Sequence, residues 1–194
     1  MLGTSVMSFL PFALSVFALL ILPGPTNAVL AMASQGISFT RAVVLVAAVV
    51  LSYLAVVLPV AGLAGTFLKA HPAVSEAVKL ISATWVLYLA LKLWVVDARA
   101  SALVISVRHI VVTTLLNPKA LIIALTMIAP GQGWLPIAAV GSFSAVAVLT
   151  STIWLLVGRM VLGSSNQMQL IARRFGSGVL LVFSAILTVS ALQQ

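Results

Sequence analysis

Two long apolar runs in this chain are each interrupted near the middle by residues that stop a helix. The first break is Leu22-Pro23-Gly24-Pro25-Thr26-Asn27 and the second is Asn117-Pro118-Lys119. Proline lacks the backbone donor and its ring collides with the preceding turn, so neither run continues as one helix. Backbone groups freed at membrane depth are tolerated only where protein or a water-filled cavity receives them. One interruption in each half is the pattern that marks the solute site of secondary transporters. The second break also holds Lys119, the one charged residue deep inside an apolar run.

Hydrophobic residues make up 63% of the 194 and charged residues 6%, which excludes an ordinary soluble domain. The expected fold is an all-α polytopic membrane protein, a single transmembrane domain over residues 1–194. A formal charge of +8 would suggest nucleic acid in a soluble protein. Here the basic residues mostly flank apolar runs, as cytoplasmic loop charges facing anionic membrane lipid do, so no nucleic-acid partner is expected. The absence of cysteine excludes disulfides and thiolate metal sites.

The N-terminal run has no Lys or Arg before it, so the basic region of a signal peptide is missing. It is read as a retained first span. A helix needs about 20 apolar residues to cross a bilayer. The runs 6–34, 42–68, 78–96, 103–129, 134–158 and 175–192 predict six transmembrane helices, the first and fourth broken at mid-membrane. Pro59 is expected to kink the second, and Pro136 to open the fifth.

The expected loops 1–2, 3–4 and 5–6 hold Arg41, then Lys92, Arg99 and Arg108, then Arg159, Arg173 and Arg174, against Lys69 and Lys79 on the other side. The basic side is read as cytoplasmic, which places both termini outside a bacterial inner membrane. Three spans precede the middle and three follow it. Half-repeats of about 1–98 and 99–194, in an inverted 3+3 arrangement, are the economical reading. Trp94 and Trp134 are placed as interfacial anchors, and Trp85 and Tyr88 as packing residues. The pairs Ala48/Ser52, Ala61/Gly65 and Gly141/Ala145 are expected to allow close helix approach.

At the breaks, Asn117 is a favoured N-cap and Pro118 a favoured first helical residue, which puts Lys119 second. Gly24 takes the cap and Pro25 the first position in the other break. The two restarted half-helices run in opposite directions, so their N-termini are expected to meet near the bilayer centre. Each carries about half a positive charge, and with the Lys119 ammonium they attract an anion such as a carboxylate. The bland alternative makes both motifs mere kinks and has Lys119 snorkel to an interface. Lys119 is the tenth residue of Ile110–Pro130, so a charge there costs about 2.5–3.5 kcal/mol or more on insertion.

Glu76 and Asp97 are the only carboxylates, and both fall in loops or at helix ends. Paired-aspartate proteolysis and a carboxylate proton relay are therefore excluded. His71 and His109 lie near opposite membrane faces, which leaves no metal site. No phosphate loop, dinucleotide fingerprint or haem-attachment motif is present, no cofactor is implied, and no enzyme activity is expected.

At these residues the chain resembles the lysine exporter (LysE/RhtB) family of bacterial amino-acid efflux proteins. LPGPTNAVL is similar to that family's PGP signature, with Gly36 where a glycine usually follows. VKLISATWVLYLALKLW resembles its third helix and LLNPKALIIAL its NPK motif. The order and spacing fit nearly the whole chain. The chain departs where Ala42, Ala47, Ala48 and Ser52 in the second helix, and Ser82 or Ala83 and Ala90 in the third, stand where glycines are common, and in a short third-to-fourth loop.

The resemblance implies export of an amino acid or derivative driven by protons, with Pro23, Gly24, Pro25, Asn117, Pro118 and Lys119 at the substrate site. Asn27 is added on position. The backbone donors after Gly24 and Asn117, with Lys119, are expected to hold the substrate carboxylate. The amide oxygens of Asn27 and Asn117 would accept from its ammonium. Without a buried carboxylate, charge favours a neutral amino acid over lysine or arginine. A non-transporting membrane subunit and an exporter of another small solute or ion stay open, as does a homo-oligomer.

Overall fold

The computed structural model describes residues 3–61, 67, 70–95, 105–124, 137–162 and 166–192, and its described elements are helices. In chain order they are α1 (Gly3–Ile21), α2 (Pro25–Ala33), α3 (Phe39–Pro59) and α4 (Pro72–Val95), then α5 (Val107–Leu115), α6 (Pro118–Ile122), α7 (Ile137–Leu162) and α8 (Asn166–Leu192). Both expected breaks are there. Leu10–Ile21 and Pro25–Ala33 are bent by 67° across the first, and at the second Leu116 and Asn117 separate α5 from α6.

Among the described residues three single helices, Phe39–Pro59, Pro72–Lys92 and Ile137–Val161, are long and apolar enough to cross a membrane. The bent α1–α2 pair makes a fourth if it counts as one span, and Arg174–Val189 is a shorter apolar helix. Of the expected fourth span the structure describes residues 105–124. Its remainder, Trp134, Pro136, Gly65 and the boundary between the expected half-repeats lie outside the described residues.

Burial is arranged as lipid would demand. Large apolar side chains face outward, among them Leu51, Val161 and Val182, each more than half exposed. Polar side chains are turned inward: Thr26, Asn27, Ser52, Thr113, Thr114, Asn117 and Lys119 are all buried. In a bilayer the polar groups, not the apolar ones, need protein around them. A core of Leu45, Val49, Val57, Ile110, Phe143 and Leu180 fills the space between.

Small polar residues join the helices. Ser177 and Ser184 of α8 donate to the carbonyls of Ala90 (2.7 Å) and Ala83 (3.0 Å) of α4, which fixes that pair as antiparallel. Gln35, just after α2, donates to the Gly158 carbonyl of α7 at 2.9 Å. Gly36 takes φ +63°, a left-handed conformation that a residue with a Cβ adopts at a cost, and so reverses the chain into α3.

Several local expectations are corrected. Pro59 closes α3, the backbone runs on as a π turn through Val60 and Ala61, and the part of the expected span beyond it lies outside the described residues. Arg173 and Arg174 lie within α8, which starts at Asn166, and not in a loop. Lys79 is likewise inside α4. At Gly141 a Cβ would meet nothing within 4 Å, so this glycine faces no neighbour. The close approach is at Gly158, where a Cβ would overlap the backbone of Ala31. Tyr88 is half exposed, while Trp85 packs inward and donates to Thr113 Oγ1 at 3.1 Å.

Candidate functional site at the two helix breaks

The two breaks meet. Asn117 Nδ2 donates to Thr26 Oγ1 at 2.8 Å and to the Tyr53 hydroxyl at 3.1 Å, joining the second break to the first and to α3. Thr26 Oγ1 also lies 3.3 Å from Thr114 Oγ1. The Thr114 hydroxyl donates back to the Ile110 carbonyl at 2.8 Å, the usual way a threonine is satisfied inside a helix. Tyr53 stands edge-on to Phe143, with ring centroids 6.0 Å apart, which closes the cluster on the α7 side.

Each break restarts as the local sequence dictates. Asn117 is the N-cap of α6: its Oδ1 accepts from the Lys119 backbone N–H at 3.1 Å, with Pro118 at the first helical position. Gly24 is the N-cap of α2 in extended backbone and offers no side-chain acceptor, while Pro25 fills the first position. The Ala28 N–H closes the first turn on the Gly24 carbonyl at 2.9 Å.

The end of α1 explains why so many polar side chains converge here. A helix end leaves carbonyls without intrahelical partners, and at membrane depth water does not replace them. Three successive carbonyls are received by three different elements. Asn27 Nδ2 of α2 donates to Leu20 (2.7 Å) and Leu22 (2.8 Å), and Trp154 Nε1 of α7 donates to Ile21 at 3.1 Å. The Lys119 ammonium of α6 donates to Leu22. Lys119 is 4% exposed, and among the described residues its ammonium is held by this carbonyl and not by a carboxylate.

Gly24 is where Lys119 passes. Its φ of −170° suits any residue, so conformation is not what calls for glycine here. Space is: a Cβ would stand 3.0 Å from Lys119 Cε and 3.1 Å from Nζ.

All seven residues expected at the site are described. Gly24, Pro25, Asn27, Asn117, Pro118 and Lys119 are buried together, and Pro23 is exposed beside them. The Asn117 oxygen makes the N-cap bond, and the Asn27 amide nitrogen donates to the end of α1; neither bond exhausts the acceptor capacity of its amide oxygen. Thr26, Tyr53, Thr114 and Trp154 join these residues. Thr26 belongs to the first break and Thr114 stands three residues before Asn117, so both are legible in the sequence as hydroxyls at a break, whereas Tyr53 and Trp154 reach the site only through tertiary packing.

The histidines stay apart from this cluster. His71 Nδ1 lies 2.9 Å from the Phe67 carbonyl, and His109 lies between Ser106 (2.8 Å) and Lys92 (3.3 Å) at the start of α5. No group of three or more metal-ligating side chains occurs among the described residues. No family model, curated protein or solved structure matches the chain.

Proposed function

We propose that this chain is a secondary transporter that exports a small carboxylate-bearing solute, a neutral amino acid or amino-acid derivative, across a bacterial inner membrane in exchange for protons. The observation that carries the reading is the buried Lys119 ammonium at the junction of the two breaks, held by a neutral carbonyl. A carboxylate is a stronger acceptor for an ammonium than a carbonyl, because its full negative charge adds a Coulomb attraction that a neutral oxygen lacks. A substrate carboxylate therefore competes with Leu22 for the ammonium. The N-terminus of α2, with no side-chain cap at Gly24, adds a favourable field for the same anion. Export and proton coupling rest on the resemblance to the LysE/RhtB family, and the orientation rests on the excess of arginine and lysine in the loops read as cytoplasmic.

A second reading is favoured by the same bond. If satisfying the carbonyls at the end of α1 is all that Lys119 does, the cluster is a structural staple in a non-transporting membrane subunit.

Counterflow in proteoliposomes against a panel of amino acids separates the two. The transporter reading expects saturable exchange, with neutral amino acids ahead of lysine and arginine. Preference for a dibasic amino acid overturns the charge argument. No exchange across the panel, and function in cells that survives making both breaks continuous helix, favours the staple.

A further inference from the structure

A groove of about 670 Å³ runs between α3 and α7 on the outside of the molecule, away from the two breaks. Val43, Val46 and Val50 of α3 and Val148, Leu155 and Leu156 of α7 form its walls. One end is different in kind: Ser34, Ser38 and the exposed Arg159 line it. The bond from Gln35 to the Gly158 carbonyl holds the start of α3 beside the end of α7. The ring contact between Tyr53 and Phe143 sets the far ends side by side, so the two helices run antiparallel along the groove.

The length is informative. Lining residues run from Phe39 to Leu51 on α3 and from Val148 to Arg159 on α7, which at 1.5 Å per residue is about 16–18 Å. Half of a hydrocarbon core of about 30 Å is close to that figure. The groove is thus one leaflet deep, apolar to its inner end and cationic at its mouth. A helix from a second copy would cross both leaflets and gain nothing from a cation at one end. A free anion would not use the apolar walls. Charge and length together match one ligand class.

From this geometry we infer that the α3–α7 groove is a binding site for an anionic phospholipid of the leaflet in which α3 begins. An acyl chain lies along the valines and leucines, and the headgroup phosphate meets Arg159. The inference rests on the chain spanning a membrane and is independent of transport through the breaks. A guanidinium is suited to this position because its planar fork pairs two phosphate oxygens at once.

Native mass spectrometry of the full chain tests it, using dioleoylphosphatidylglycerol against dioleoylphosphatidylcholine. The expected result is one phosphatidylglycerol per chain retained through stepwise delipidation, in preference to phosphatidylcholine. Arg159→Gln should weaken that retention roughly fivefold, from the attraction that one cation contributes near an anionic surface. Arg159→Lys should keep part of it. Ala47→Trp, which fills the groove and leaves the cation in place, should lower retention of both lipids. Arg159 is exposed, so its variants should insert and purify like the wild type, and matched thermal melting verifies this. Equal retention of the two lipids, or phosphatidylglycerol binding unchanged by both Arg159→Gln and Ala47→Trp, overturns the inference. A shift in oligomeric state in Ala47→Trp with no change in lipid also overturns it, and identifies the groove as a surface between copies.

Discussion

The ammonium of Lys119 donates to the carbonyl of Leu22, 97 positions earlier in the chain, so the charge of the second break closes the open end of the helix before the first. The two breaks share the task of closing α1. Asn27 of the first break donates to the Leu20 and Leu22 carbonyls, and Lys119 of the second donates to Leu22 as well. Polar groups from both breaks are thereby partnered inside a hydrophobic fold.

Replacing Lys119 by Met keeps most of the stem and removes the charge. If the ammonium engages the substrate carboxylate, apparent affinity should fall tenfold to a hundredfold, corresponding to about 1.4–2.8 kcal/mol. Lys119→Arg should recover only part, because a planar fork does not fit the space beside Gly24 as a compact ammonium does. Insertion should hold, since Asn27 still donates to Leu22. Substrate flux at saturating and subsaturating concentrations, with protein level matched, reads the outcome. Unchanged affinity would assign Lys119 to the staple.

Gly24→Ala puts a methyl group against the tip of Lys119. The tip must shift by a few tenths of an ångström, and the expected loss in apparent affinity is severalfold, smaller than for Lys119→Met. The informative arm is the double mutant. In a Lys119→Ala background the methyl group has nothing to displace, so Gly24→Ala should add no further loss. Additive effects in this cycle would mean that Gly24 acts through something other than Lys119.

Asn117→Ala removes an N-cap together with two buried donations, to Thr26 and to Tyr53. The cap alone is worth about 0.5–2 kcal/mol, and each buried partner left unsatisfied adds about 1–3 kcal/mol. Thermal melting in detergent should show a clear loss of stability. Asn117→Ser keeps a capping oxygen and should recover part of it. Equal melting of the alanine variant and the wild type would show that the junction of the breaks is not held by Asn117.

Two glycines on α7 predict opposite outcomes for the same substitution. At Gly158 a Cβ overlaps the carbonyl oxygen and Cα of Ala31, which are backbone and cannot swing aside. Gly158→Ala should therefore force α2 and α7 apart, at a cost of about 1–3 kcal/mol, the range for overpacking. At Gly141 nothing stands within 4 Å of the added Cβ. Gly141→Ala should be neutral or gain up to about 1 kcal/mol from helix propensity. Melting temperatures of the two variants in one detergent make the comparison, and a reversed order would contradict the packing.

The sequence by itself determined the breaks, their caps and the apolar character of the runs between them. Pro25 and Pro118 stop and restart a helix wherever they are placed, because they lack a donor. Asn117 caps α6 through its own neighbour's N–H, and Gly36 turns the chain by having no Cβ. These are effects within a few residues, and they do not depend on the rest of the fold. Tertiary structure alone decided the partners. Hydropathy marks Lys119 as buried and costly but cannot say that its acceptor is the Leu22 carbonyl, since every residue offers an identical carbonyl. Nor does the spacing of small residues distinguish Gly158, which meets a backbone, from Gly141, which meets nothing. Tyr53 and Trp154 look like any aromatic residue in an apolar run until packing brings a hydroxyl to Asn117 and an indole N–H to Ile21. In a low-dielectric interior polar groups must find partners, but the fold chooses which, because the distances involved are set between helices and not along them.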